Sequence, residues 1–136
     1  MSLAGDLELV IATETDIVLA RRAVREAATT LGFGVTDTTR IVTAASELAR
    51  NIVKYAGRGV MQGRPLEAAG RRGLELLFID HGPGIPDVAK ALEMGYSTSG
   101  GLGMGLPGAK RLMDEMEILS DVGAGTTVML RKWRAR

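Results

Sequence analysis

The sequence predicts an α+β fold, a two-layer α/β sandwich in which helices cover one face of a mixed, mostly antiparallel sheet. Two amphipathic segments near the N-terminus follow one another with no strand between them, and two strands follow one another at the C-terminal end. Consecutive strands favour antiparallel pairing, whereas a doubly wound parallel fold would alternate strands and helices throughout. All 136 residues, 1–136, fit a single domain.

The N-terminal third predicts one strand and two helices. The strand covers residues 7–13, and we expect Asp16 to cap the next helix and Gly32 to end it. The second helix is expected over residues 37–55, capped by Thr36 or Asp37 and stopped by Gly57. Apolar residues at helical spacing mark the buried face of each helix. They are Ala20, Ala23, Val24, Ala27, Ala28 and Leu31 in the first, and Ile41, Ala45, Leu48, Ile52 and Tyr55 in the second.

The periodic pattern of apolar residues weakens over residues 58–73, where Pro65 and several glycines predict an edge strand or a loop. Residues 74–79 are apolar apart from one glutamate and predict a strand with both faces mostly covered. A short helix over 87–94 and a longer one over 106–116 follow, the latter with a proline in its first turn. The last two strands are expected at 117–120 and 126–132.

Composition excludes several classes of protein. Seventeen Lys and Arg residues against sixteen Asp and Glu give a net charge of +1, so electrostatics offers no argument for binding nucleic acid or a membrane. The chain has no cysteine, which rules out disulfides and thiolate metal sites. No signal peptide or membrane-spanning run is apparent, and we therefore expect a cytoplasmic protein.

A glycine-rich stretch over residues 95–108 is the most unusual feature of the sequence. Because glycine has no side chain, the backbone N–H groups of this stretch could surround anionic oxygens, although an ordinary surface loop has the same composition. A literal Gly-x-Gly-x-x-Gly occurs in it, but it follows a loop rather than a strand, so a dinucleotide site is rejected. A Walker A loop is also absent. The residues that would face phosphates are Gly100, Gly101, Leu102, Gly103, Met104 and Gly105.

Polar residues elsewhere complete a candidate nucleotide site. Glu47 and Asn51 lie one helical turn apart, with Lys54 on the same line beside the buried stripe. An amide oxygen such as that of Asn51 can ligate Mg²⁺. Asp80 ends a buried strand and begins an Asp-x-Gly-x-Gly turn, while Thr126 offers a hydroxyl at the start of the last strand. Taken alone, the line of Glu47, Asn51 and Lys54 is more typical of solvated polar residues on the side of a helix.

Taken in order, the motifs SELARN, DHGPG, GGLGMGL and GAGT resemble those of the GHKL ATPase superfamily, which has the Bergerat ATP-binding fold. Within it the chain is similar to the small anti-sigma-factor serine kinases, and most of all to the RsbT-type switch kinases. The resemblance runs from about residue 16 to residue 133. The long run GYSTSGGLGMGLPGAKRLMDE and the terminal KW make it specific.

The resemblance implies roles for individual residues. Glu47 would be the general base that accepts the proton of a Ser or Thr hydroxyl, and Asn51 would hold Mg²⁺. Asp80 would accept the exocyclic amine of the adenine of ATP, supported through a water by Thr126. Lys54 would reach phosphate oxygens, unless it is merely solvated. Gly82 and Gly84 would form the floor of the adenine pocket, and Gly101, Gly103 and Gly105 would close on the phosphates.

The resemblance also implies partners. Such a kinase phosphorylates a STAS-domain antagonist or scaffold protein and then binds and activates a PP2C-type phosphatase. Two other functions remain open from the sequence: an anti-sigma factor that binds a sigma factor directly, and a docking module without catalysis. An intact set of Glu47, Asn51 and Asp80 favours the kinase, because a docking module would not need it.

Overall fold

The structure, a computed structural model, describes residues 6–82 and 105–134. In chain order these form β1 (Leu7–Ile11), α1 (Glu14–Thr30), α2 (Val35–Asn51), a π-helical turn (Ile52–Ala56), β2 (Gly59–Ala68), β3 (Arg71–Asp80), α3 (Gly105–Leu112), β4 (Glu115–Asp121) and β5 (Gly125–Trp133). The predicted short helix over 87–94 and residues 95–104 of the glycine-rich stretch lie outside the described residues.

The five described strands form one sheet in the order β1-β2-β3-β5-β4, and all four pairs are antiparallel. Alternate residues of β3 and β5 point to one face and are almost completely buried there, in a core that also contains apolar residues of α1, α2 and α3. The helix α2 lies in the middle of the helical layer and packs against both α1 and α3. The predicted two-layer α+β sandwich is confirmed.

The first helix begins earlier than predicted. Its N-cap is Thr13, whose hydroxyl accepts the N–H of Asp16 at 3.2 Å, and Asp16 is the N3 residue whose carboxylate accepts the N–H of Thr13 in return. The prediction of Asp16 as the cap was wrong because a Thr-x-x-Asp spacing satisfies two backbone donors instead of one. Hydrogen bonds from the N–H groups of Ala12 and Thr13 also hold the pKa of Asp16 below its usual range. Gly32, at a φ of 88°, ends the helix as predicted.

The second helix also differs from the prediction at both ends. It begins at Val35 after Gly34, which provides no side-chain cap, so Thr36 and Asp37 lie inside the first turn. Asp37 pairs with Arg40 at 2.9 Å instead of capping the helix. After Asn51 the chain continues as a π-helical turn, closed by the N–H of Gly57 on the carbonyl of residue 52 at 2.8 Å. Gly57 then ends the helical segment, as predicted.

The largest error concerns β2. Residues 59–68 form a ten-residue strand between β1 and β3, where an edge strand or loop was expected. The described part of β1 pairs with β2 only as far as Gly63, so among residues 6–82 and 105–134 the only strand beside Pro65 is β3, which is compatible with proline. Glycine is required at position 59 because a Cβ there would lie 2.9 Å from the Ile52 side chain.

Smaller corrections apply to the C-terminal elements. The helix α3 ends at Leu112, four residues before the predicted end, because β4 already begins at Glu115 and pairs with β5. The two final strands are joined by a turn over residues 122–124. None of the described helices is long and apolar enough to cross a membrane.

A row of ion pairs crosses the sheet face that points away from the core. Glu75 on β3 is only 3% exposed and accepts bonds from Arg64 at 2.7 Å and from Arg131 at 2.8 Å. Arg131 also pairs with Glu115 on β4 at 3.3 Å. Burial works to raise the pKa of Glu75, but the two guanidinium groups outweigh it and hold the pKa below the ordinary value.

Candidate nucleotide site

The candidate site is formed where β3 ends and β5 begins, beside the π-helical turn that follows α2. Asp80 is the last residue of β3, and it is paired in register with Thr126 on β5 and with Gly59 on β2. Asp80 is half-buried, whereas Thr126 is buried. The two residues to which the resemblance assigns the adenine contact therefore lie opposite each other at one end of the sheet.

Within residues 6–82 and 105–134, the carboxylate of Asp80 uses one of its two oxygens in a hydrogen bond. Its Oδ1 accepts the N–H of Gly82 at 2.9 Å, which fixes the turn that follows β3. Among the described residues, none donates a hydrogen bond to its Oδ2. A carboxylate held in this way offers an oriented acceptor to a ligand amine.

Two glycines let backbone segments approach Asp80 closely. A Cβ at Gly82 would lie 2.7 Å from the Cβ of Ala56, so glycine allows the turn to pack against the π-helical segment. A Cβ at Gly125 would overlap the carbonyl oxygen of Asp80 and lie 2.7 Å from the Cα of His81. The same end of the sheet borders a cavity of about 180 Å³, lined in part by these residues: Ile79, Asp80, His81, Leu119, Gly125 and Thr126.

The hydroxyl of Thr126 is held by a residue that the sequence analysis missed. Ser120 Oγ lies 2.9 Å from Thr126 Oγ1 and donates to the carbonyl of Gly125 at 3.2 Å. The turn between the last two strands could have identified Ser120 from the sequence. Pairing Asp121 with Gly125 places Ser120 opposite Thr126.

The end of the α2 segment packs against this region. Ala56 touches Gly82, and Ile52 packs on Gly59, the register partner of Asp80. Asn51 directly precedes Ile52 and is half-buried, and no hydrogen bond to its side chain from another described residue is found. An amide oxygen of this kind is suited to a hard cation such as Mg²⁺.

Glu47 lies one turn before Asn51 on α2, about 6 Å along the helix axis. Its side chain is 39% exposed, and its Oε1 accepts a bond from Arg50 Nη1 at 2.9 Å. Arg50 is a second residue that the sequence analysis missed, although its spacing of three from Glu47 is the spacing at which helix side chains meet. Within the described residues, no hydrogen bond or ion pair links Glu47 to Asp80.

The remaining predicted residues are less informative. Lys54 is exposed on the π-helical turn, with its ammonium 5.3 Å from the ring centroid of Tyr55. Gly105 is the first residue of α3. The other predicted members of the site lie outside the described residues: Gly84, Gly100, Gly101, Leu102, Gly103 and Met104.

The geometry can be compared with known proteins. The family model described as "Histidine kinase-like ATPase domain" matches residues 10–132. A Bacillus subtilis protein named "Serine/threonine-protein kinase RsbT" is 54% identical over 123 residues, covering 90% of this chain and 92% of the relative. An "Anti-sigma F factor" of Halalkalibacterium halodurans is 35% identical over 71% of this chain and 69% of its own.

A solved structure has the same fold. The RsbU and RsbW domains of a Mycobacterium tuberculosis protein superpose with a TM-score of 0.66, at 23% identity, over 96% of this chain and 33% of that chain. The family model and the two-layer α+β sandwich place the chain in the class of histidine kinase-like ATPase domains, which use ATP. Within that class, the chain belongs to the RsbT-type serine/threonine-protein kinases.

Proposed function

We propose that the protein transfers the γ-phosphate of ATP to a Ser or Thr of a STAS-domain antagonist, and that it then binds and activates a PP2C-type phosphatase. The 54% identity to a relative named as a serine/threonine-protein kinase supports the transfer reaction. The STAS-domain and PP2C partners follow from the family resemblance. In this scheme the protein acts first as an enzyme and then as a ligand.

The observation that carries the proposal is the carboxylate of Asp80. Its Oδ1 is committed to Gly82, and its Oδ2 has no donor among the described residues, as expected for an acceptor of the adenine amine. The hydroxyl of Thr126, oriented by Ser120, would support that contact through a water. Gly82 and Gly84 would leave room for the flat ring to lie against the backbone.

The phosphates would be bound farther along the α2 segment. Asn51 would hold Mg²⁺, which neutralises phosphate charge when bound. The backbone amides from Gly100 to Gly105 would surround the phosphate oxygens. Lys54 is near enough in the chain to contribute a charge, since it follows Asn51 by three residues.

Glu47 would be the general base. It would accept the proton of the substrate hydroxyl as that oxygen bonds to the γ-phosphorus and the bond to ADP breaks, and it would later release the proton to water. Its partial exposure fits this role, because the hydroxyl arrives on another protein.

The test is a phosphotransfer assay with γ-labelled ATP and purified STAS-domain proteins from the source organism. Wild type should label one of them on a Ser or Thr. Glu47→Ala should cut the rate by roughly 10²–10⁴, the usual contribution of a positioned base, while ATP affinity stays within about twofold. Turnover that survives within a few-fold would remove Glu47 from this role.

A second candidate function has its own support. Relatives 35% and 32% identical are named "Anti-sigma F factor", so direct binding of a sigma factor is the alternative. The same assay separates the two. A protein that captures a purified sigma factor and labels no STAS-domain protein would favour the anti-sigma function.

A further inference from the structure

We propose that Arg50 is a positioning residue for Glu47, holding one carboxylate oxygen so that the other is presented to the substrate hydroxyl. The inference rests on the proposed role of Glu47 as the base. It adds a residue whose own function is to fix the direction from which the proton is taken.

The hydrogen bond between Arg50 and Glu47 is able to orient the carboxylate. Arg50 Nη1 donates to Glu47 Oε1 at 2.9 Å across three residues of α2. Among the described residues only Arg50 bonds to the Glu47 carboxylate, and none of them bonds to its Oε2. The guanidinium is planar and permanently charged, so it orients a carboxylate better than a flexible amine does.

Glu47 needs such a tether because of its place on the helix. Its side chain is 39% exposed, so packing restricts it less than it restricts a buried residue. A free Glu side chain samples several rotamers, and a misplacement of about 1 Å at a reacting group can cost up to roughly 10²-fold in rate. Arg50 reduces that freedom before the substrate arrives.

Stability does not explain the pair. Exposed ion pairs at this spacing contribute little to folding, since salt and side-chain entropy oppose them. The same helix contains a matched pair, Arg40 and Asp37, with the same spacing and the same 2.9 Å distance. The two pairs lie at different positions on α2, and only the pair of Arg50 and Glu47 includes the proposed base.

The experiment compares Arg50→Gln with Arg40→Gln in the phosphotransfer assay, using the STAS-domain protein that accepts most label. Arg50→Gln should lower kcat by about tenfold, the factor expected when the rotamers of one long side chain are no longer frozen, with the KM for ATP within about twofold. Arg50→Lys keeps the charge and should recover to within about threefold of wild type. Arg40→Gln should match wild type, and both Gln variants should melt at the same temperature.

A double mutant tests whether Arg50 acts through Glu47. In a Glu47→Ala background, adding Arg50→Gln should leave the residual single-turnover rate unchanged. The same tenfold loss in that background would mean that Arg50 contacts the substrate or partner directly, and would overturn the inference. Equal kcat for Arg50→Gln and Arg40→Gln would also overturn it.

Failure of the inference is distinguishable from failure of the proposed function. If Glu47→Ala is severely impaired while Arg50→Gln equals wild type, the base stands and the positioning role falls. If Glu47→Ala itself retains activity within a few-fold, the proposed base is wrong and the inference falls with it.

Discussion

Substituting Gly125 by Ala should damage the fold and the site together. Gly125 begins β5 at a φ of 109°, and a Cβ there would overlap the carbonyl oxygen of Asp80 and lie 2.7 Å from the Cα of His81. Gly123, in the same turn, has a φ of 83° but no atom within 4 Å of the position of a Cβ. Gly123→Ala therefore provides a control with similar backbone strain and no collision.

The expected loss of stability is the sum of two contributions, backbone strain and steric overlap. A non-glycine residue at positive φ costs about 1–2 kcal/mol, which both variants incur. Overpacking against a fixed backbone adds about 1–3 kcal/mol at Gly125 alone. Unfolding in urea should therefore show losses of about 1–2 kcal/mol for Gly123→Ala and about 2–5 kcal/mol for Gly125→Ala.

Calorimetry with ATP completes the test. Because the added methyl group must displace Asp80, Gly125→Ala should bind ATP at least about tenfold more weakly at a temperature where it is still folded. Gly123→Ala should bind as wild type does. Equal stability losses in the two variants, or unchanged ATP affinity in Gly125→Ala, would refute the close approach of β5 to Asp80.

Three further substitutions test separate contacts. Glu75→Gln should cost about 1.5–3 kcal/mol at pH 7, because it weakens two charge-assisted bonds. The folded-state pKa of Glu75 lies below its ordinary value of 4.5, so this contribution is present above about pH 4.5 and is lost as the pH falls further. Urea titrations at pH 7 and pH 3.5 should therefore show a difference between variant and wild type that shrinks at low pH; a constant difference would contradict it. Thr13→Ala should lower stability by about 1 kcal/mol and leave ATP affinity unchanged, since its bonds with Asp16 are confined to the start of α1. Ser120→Ala should weaken ATP binding by about 0.5–1.5 kcal/mol in calorimetry, because Thr126 loses its hydroxyl partner; wild-type affinity would mean that Ser120 does not orient it.

Much of the fold could be predicted because it rests on periodicity. The buried stripe from Ile41 to Ile52 and the apolar run of β3 are local patterns, and the structure reproduces both. The strand β2 could not be predicted, because its glycines and Pro65 suit it only in the presence of particular neighbours. Pro65 depends on how far the described part of β1 pairs with β2, and Gly59 depends on the Ile79 carbonyl and the Ile52 side chain. Such tertiary requirements leave no periodic pattern in the sequence.

The candidate site likewise contains features that could be predicted from the sequence and features that could not. The resemblance already assigned Asp80 and Thr126 to one contact, and the sequence placed them at the end of one predicted strand and the start of another. The π-helical turn after Asn51 could not be predicted, because no residue type specifies a hydrogen bond between residues five apart. Arg50 and Ser120 were missed because each acts on another side chain rather than on a ligand, so no ligand-binding motif includes them.

The most direct test of the account is the affinity of Asp80→Asn for ATP and GTP, measured by calorimetry. The amide keeps an oxygen for the Gly82 N–H but replaces the available acceptor with a donor, which faces the amine of adenine unfavourably. We predict that ATP binding weakens by about 1.5–3 kcal/mol and that the preference for ATP over GTP falls, because the guanine carbonyl accepts the new donor. Unchanged ATP affinity and an unchanged ratio would show that Asp80 does not read the base.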